Sequence, residues 1–153
     1  AMLFEAACRV SAILADATEE QETALSEYGY NLGIAFQMAD DLFDYTLKTS
    51  EFGKEVGADL REGKLTLPVI YALKQAQSGD RELMIRIIRD QDFSKADFKT
   101  LTDLLEKYGG LTYTHNTATS FIDTAKKALA VFDPSATKDT MLDIADYVLN
   151  RSV

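Results

Sequence analysis

Apolar residues recur at helical spacing along almost the whole chain, and no segment alternates apolar and polar residues long enough to make an amphipathic strand. The fold class that follows is all-α, a helical bundle. Its 153 residues, 46% hydrophobic and 27% charged, suffice for a single domain over residues 1–153 with one core. Leu3 to Ala15 reads as a first helix, apolar on several sides and with no capping residue before it. Thr18 followed by Gln21 forms a capping box for a long second helix, from Glu19 to Tyr45. From Lys48 to Lys64 three glycines and many charges break the periodicity, which predicts an ordered loop or lid. A third helix is expected from near Leu65 to Ala76, with Pro68 in its first turn and Ser78 and Gly79 as its stop. Asp80 to Arg89 follows as a short helix. Ser94 with Asp97 caps the next, Gly109 and Gly110 break it, and Pro134 separates the last two.

The charge balance restricts the partners. With 25 acidic and 16 basic side chains the formal net charge is −9, which disfavours a nucleic-acid backbone or an anionic membrane surface as a general partner. Anions would have to be held locally, by metal ions or a few placed lysines. Cys8 is the one cysteine, so no intramolecular disulfide forms, and the lack of Cys/His pairs removes a structural zinc reading. No apolar run reaches the roughly 20 residues that span a bilayer, and nothing at the N-terminus reads as a signal peptide. A cytoplasmic protein without stable membrane insertion is the expectation.

The second helix carries the chemistry. At about 100° per residue, Gly29, Gly33, Gln37, Asp40 and Asp44 fall within one narrow arc, with Asp41 beside it. Leu25, Tyr28, Leu32, Ala35, Ala39, Leu42 and Phe43 occupy a separate, apolar arc. Each glycine costs roughly 1 kcal/mol in helix propensity, so the space beside it should be needed, for a close helix or an apolar ligand tail. Three carboxylates within one turn repel one another unless cations neutralise them. Mg²⁺ suits such a site, because it commonly bridges one or two carboxylates to a substrate phosphate. A solvated acidic face is the ordinary reading of a bare Asp-Asp-x-x-Asp, but here the motif ends a long apolar helix and runs into a lysine-bearing loop.

The string Phe36-Gln37-Met38-Ala39-Asp40-Asp41-Leu42-Phe43-Asp44-Tyr45 resembles the second aspartate-rich motif of the polyprenyl synthetase, or trans-isoprenyl diphosphate synthase, family. Downstream, Gly53-Lys54-x-x-Gly57-x-Asp59 and Gly63-Lys64-Leu65-Thr66-Leu67-Pro68 resemble that family's lysine-bearing loop and the start of its next helix. The resemblance covers essentially the whole chain, is closest to bacterial members of the octaprenyl type, and implies an isoprenoid-synthase-type bundle. It implies that Asp40, Asp41 and Asp44 help hold Mg²⁺ on an allylic diphosphate, with Asp40 the most direct ligand. Gln37 would sit near the allylic substrate, Lys54 and Lys64 would contact diphosphate oxygens, and Asp59 would order the loop. The implied reaction ionises the allylic diphosphate, lets isopentenyl diphosphate attack the cation, and then loses a proton.

The family's first aspartate-rich motif and its isopentenyl diphosphate ligands have no counterpart in this sequence. The resemblance therefore implies the C-terminal portion of a polyprenyl synthetase domain, inactive alone and completed by an N-terminal half or a second chain. A homo-oligomer is expected, because half a bundle leaves apolar faces to cover. The runner-up function is a noncatalytic regulatory or interaction subunit paired with a catalytic chain; the complete acidic motif argues against it. A terpene cyclase is disfavoured by the lysine loop. Elsewhere the ordinary readings stand: His115 structural, Cys8 a small hydrophobe, Lys48 an ion-pair partner of Asp44, Arg151 a solvated tail, and Phe36, Phe43, Phe121 and Phe132 core residues.

Overall fold

A computed structural model describes residues 1–46, 57–90 and 92–150. The described residues form helices and connecting turns with no strand, as the apolar periodicity requires. The helices are α1 (Met2–Leu14), α2 (Glu19–Thr46), α3 (Ala58–Arg61), α4 (Leu67–Gln75), α5 (Ser78–Arg89), α6 (Lys95–Lys107), α7 (Gly110–Ala128) and α8 (Ala136–Asn150), with a 3₁₀ turn at Leu129–Val131. The described residues divide into two compact units, and the division falls inside α2 and α7: one unit holds those of 1–39 and 116–150, the other those of 40–115.

In the first unit α2 opens on the expected capping box. The Thr18 backbone N–H donates to Gln21 Oε1 at 3.1 Å and the Gln21 N–H to Thr18 Oγ1 at 3.3 Å. The glycine stripe meets a close helix. A Cβ on Gly29 would stand 2.6 Å from the Phe4 carbonyl oxygen, and one on Gly33 would stand 2.6 Å from Ala1 Cα. Phe4 and Phe36 pack with ring centroids 5.4 Å apart, and Arg9 pairs with Glu22 at 2.8 Å. The buried Tyr28 hydroxyl donates to the Met141 carbonyl at 2.7 Å, fixing α8 against α2; burial pushes that phenol up to about 12. α1 is less buried than its composition predicts: Ala12 is its one buried residue, and Leu3 is 82% exposed.

The second unit is built around Tyr45, Leu60, Val69, Met84, Leu101 and Leu105, all buried, with Phe98, Tyr108 and Leu111 packed against them. Ser94 and Asp97 form a reciprocal capping box at the start of α6. Ser78 and Gly79, expected to stop a helix, instead begin α5. The break comes earlier, where Ala76 (ψ 141°) and Gln77 (ψ 157°) turn extended. Gly109 takes φ +71° and separates α6 from α7, while Gly110 lets α7 start against the Pro68 carbonyl, which a Cβ there would strike.

Candidate metal and diphosphate site

The acidic end of α2 lies in the second unit with α3 and the turn after it. Tyr45, at the foot of the motif, is buried, and its hydroxyl shares a hydrogen bond of 3.0 Å with Thr66 Oγ1, the residue capping α4. Burial pushes this phenol up to about 12 as well, so it stays protonated and holds α2 to the start of α4. The motif is thereby anchored on its apolar side.

On the polar side the chain returns through Gly57, whose φ of +79° opens α3. A side chain there would meet the Phe98 ring at 2.6 Å as well as incur left-handed strain. The turn delivers backbone N–H groups to Asp44: Ala58 donates to Oδ1 at 3.0 Å and Asp59 to Oδ2 at 3.2 Å. Burial, then the neighbouring Asp59 carboxylate, push Asp44 above the usual carboxylate range, against the opposing effect of these amides and that of Gly57. Arg61, the last residue of α3, lays its guanidinium 4.1 Å from the Phe93 ring centroid and donates to the Phe93 carbonyl at 3.3 Å.

Lys64 stands between two of the expected site carboxylates. Its Nζ donates to Asp59 Oδ2 at 2.9 Å and to Asp41 Oδ1 at 3.0 Å, while its backbone N–H donates to the Asp59 carbonyl at 2.9 Å. The bond to Asp59 is the main cause holding this ammonium well above the ordinary lysine range; the Asp41 bond adds to it and burial opposes it. The Lys64 side chain is 44% exposed, against 12% for Asp41 and 23% for Asp59. Such half-exposed pairs add only about 1 kcal/mol to stability, so their main consequence is where they hold the ammonium.

Of the residues singled out in the sequence, Asp41, Asp44, Asp59 and Lys64 are thus brought together. Asp40 is exposed on the same helix, and Gln37 is exposed one turn earlier, in the other unit. Lys54 lies outside the described residues, as do Lys48 and Arg151. His115 is exposed on α7, and Cys8 is half-buried with its thiol pushed up by burial. Phe36, Phe43, Phe121 and Phe132 are each partly buried. Sequence reasoning missed the helix α3, the amides of Gly57 and Ala58, and the Tyr45–Thr66 bond. The glycine at 57 was the available signal for the first two, since a loop glycine ahead of a short charged run marks a turn. Among the described residues, no three carboxylate, imidazole or thiol side chains are grouped so that they could hold a metal ion. The Lys64 ammonium is bonded to Asp41 and Asp59, while Asp44 meets backbone amides and Asp40 is exposed on the same helix.

Residues 1–105 match the family model of polyprenyl synthetase. The chain belongs to that family. Among curated polyprenyl synthetase relatives, the short chain isoprenyl diphosphate synthase of Methanothermobacter thermautotrophicus is 36% identical over 151 residues, 99% of this chain and 46% of that protein. The octaprenyl diphosphate synthase of Escherichia coli matches to the same extent, 36% over 151 residues and the same two shares. The chain spans about half the length of the curated relatives it matches. Among solved structures, a decaprenyl diphosphate synthase from Rhodobacter capsulatus superposes with a TM-score of 0.87 at 43% identity, over 97% of this chain and 46% of that one. A polyprenyl synthase from Caulobacter crescentus, complexed with calcium and isoprenyl diphosphate, gives 0.89 at 37% identity, over 97% and 45%. Among the described residues no helix is long and apolar enough to cross a membrane.

Proposed function

We propose that this chain is the portion of a cytoplasmic trans-prenyltransferase that holds an allylic diphosphate through Mg²⁺ for elongation by isopentenyl diphosphate. The observation that carries the reading is Lys64, gripped by Asp41 and Asp59, with Asp40 exposed next to Asp41 on the helix. Hard carboxylate oxygens are the donor type Mg²⁺ prefers, and Mg²⁺ commonly completes its shell with water and substrate phosphate. Asp40 and Asp41 are assigned as its ligands. The chemistry Mg²⁺ supplies when bound is charge neutralisation on the departing diphosphate.

The chain's own residues do the rest. Lys64, an ammonium on a flexible stem fixed by two carboxylates, donates to diphosphate oxygens. Asp41 and Asp59 orient it. By their places in the motif, Gln37 is assigned to the allylic substrate and Lys54 to a second ammonium on the diphosphate. The sequence holds one aspartate-rich motif, so turnover is assigned to an assembly in which a further segment or chain supplies the isopentenyl diphosphate site. The exposed Met2, Leu3, Val10, Ile13 and Leu14 of α1 support such a partner, a second copy included.

The test is calorimetric titration of farnesyl diphosphate with and without Mg²⁺, in the wild type and in Asp40→Ala/Asp41→Ala. Metal-dependent binding lost in the double variant is the expected result. Binding indifferent to Mg²⁺, or retained by the variant, would sink the reading.

A further inference from the structure

We infer that Asp44 is a positioning residue that acts through Asp59 on Lys64, and that it is not a third metal ligand. The inference rests on the metal-diphosphate reading above and refines it.

The two oxygens of Asp44 are already engaged by the chain. Oδ1 accepts from the Ala58 N–H and Oδ2 from the Asp59 N–H, and the Gly57 amide bonds to the same carboxylate. A carboxylate offers about four lone-pair sites, so a cation approaching Asp44 would compete with three N–H donors. Asp40, by contrast, is exposed and next to Asp41 on the helix.

What Asp44 holds in place matters for the lysine. The residue whose amide it fixes at 3.2 Å, Asp59, is also the residue that grips Lys64 twice, through its side chain at 2.9 Å and its carbonyl at 2.9 Å. The chain of contacts runs from α2 through the first turn of α3 to the ammonium. Gly57, at φ +79° and seated against Phe98, makes that route sterically possible. Freed from Asp44, Asp59 loses its register with α2, and Lys64 is no longer aimed by Asp59 and Asp41 together.

The experiment has one metal-free arm and one ligand arm. In the first, amide hydrogen exchange of Ala58, Asp59 and Lys64 is compared in the wild type and Asp44→Asn, whose amide nitrogen cannot accept. Exchange about tenfold faster at these positions is expected, the scale of a lost bond to a charged group. Unchanged protection overturns the inference, whether or not any ligand binds. In the second arm inorganic diphosphate is titrated at several Mg²⁺ concentrations into the wild type, Asp40→Asn, Asp44→Asn, Asp59→Asn, Lys64→Ala and Asp44→Asn/Lys64→Ala. Asp44→Asn should weaken diphosphate binding roughly five- to tenfold without moving the Mg²⁺ midpoint, and should add nothing once Lys64 is alanine. Asp59→Asn should reproduce the weakening while leaving the Ala58 amide protected, which keeps the inference testable if Asp44→Asn folds poorly. A shift of the Mg²⁺ midpoint matching that of Asp40→Asn, or a full effect in the Lys64→Ala background, would make Asp44 a ligand and overturn it. If the wild type binds no Mg²⁺-diphosphate, the functional reading fails by itself, and the exchange arm still decides the role of Asp44.

Discussion

The glycine half and the acidic half of α2 belong to different units, and they use the helix surface in opposite ways. Gly29 and Gly33 use it to remove side chains, so that the backbone of α1 lies where a Cβ would be. Asp41 and Asp44, further along, use it to project charge toward the amides and the ammonium of a returning turn. Helical periodicity sets which residues share a face, and the chemistry of those residues sets what that face can accept. A small-residue face accepts backbone, and a carboxylate face accepts donors and cations.

The acidic half should show the larger effect on ligand binding. Removing one direct charge at Asp40 by Asp40→Ala is expected to weaken Mg²⁺-dependent binding of an allylic diphosphate by on the order of 100-fold, with helicity retained. Calorimetry with circular dichroism reads both, and equal loss in a glycine-half variant of unchanged fold would dissolve the distinction between the halves. The turn that serves the acidic half comes next. Gly57→Ala combines left-handed strain with a Cβ 2.6 Å from the Phe98 ring, and should cost about 2–3 kcal/mol in denaturant unfolding.

The glycine half makes a sharper test because propensity and packing disagree in sign. Propensity alone would make Gly29→Ala stabilising by about 1 kcal/mol. A Cβ 2.6 Å from the Phe4 carbonyl oxygen and 2.9 Å from Glu5 Cα meets backbone that cannot rotate away, an overpacking cost of about 1–3 kcal/mol. The expected net result is a destabilised protein with an unchanged Mg²⁺ dependence. A rise in stability would mean that α1 does not lie on the stripe.

Legibility followed the range of the interactions. The boxes at Thr18/Gln21 and Ser94/Asp97 were readable because both partners lie three residues apart, and the extent of α2 followed from its periodicity and its cap. The need for space beside Gly29 and Gly33 was also readable, from their cost in a helix. α3 was not, since a four-residue helix shows no period, and the α4–α5 boundary was displaced because Gly79 is tolerable in a first turn with open space around it. The carboxylates and lysine of the candidate site were singled out by motif, but their partnership was not: Asp44 meets amides 14 and 15 residues away, and Lys64 meets Asp41 at a separation of 23. Such bonds depend on the path of the intervening chain, which no local pattern encodes.

A carboxylate outside the motif gives the finest comparison with the acidic half. Asp80, in the first turn of α5, accepts from Lys107 Nζ at 2.6 Å and from the Tyr108 hydroxyl at 2.6 Å; these bonds, the lysine first, hold it below the ordinary carboxylate range. Asp44 is shifted the other way, chiefly by burial. The signs therefore oppose. A depressed folded value means that Asp80 contributes stability above the unfolded value of about 3.9 and loses it as pH falls through the folded value. A raised folded value means that Asp44 favours the folded state more as pH falls from its folded value toward 3.9. Asp80→Asn should accordingly flatten the acid limb of a stability-against-pH curve, while Asp44→Asn should steepen it. The same direction of change in both variants would show that the amides around Asp44 outweigh its burial, so that its neighbours hold it as those of Asp80 do.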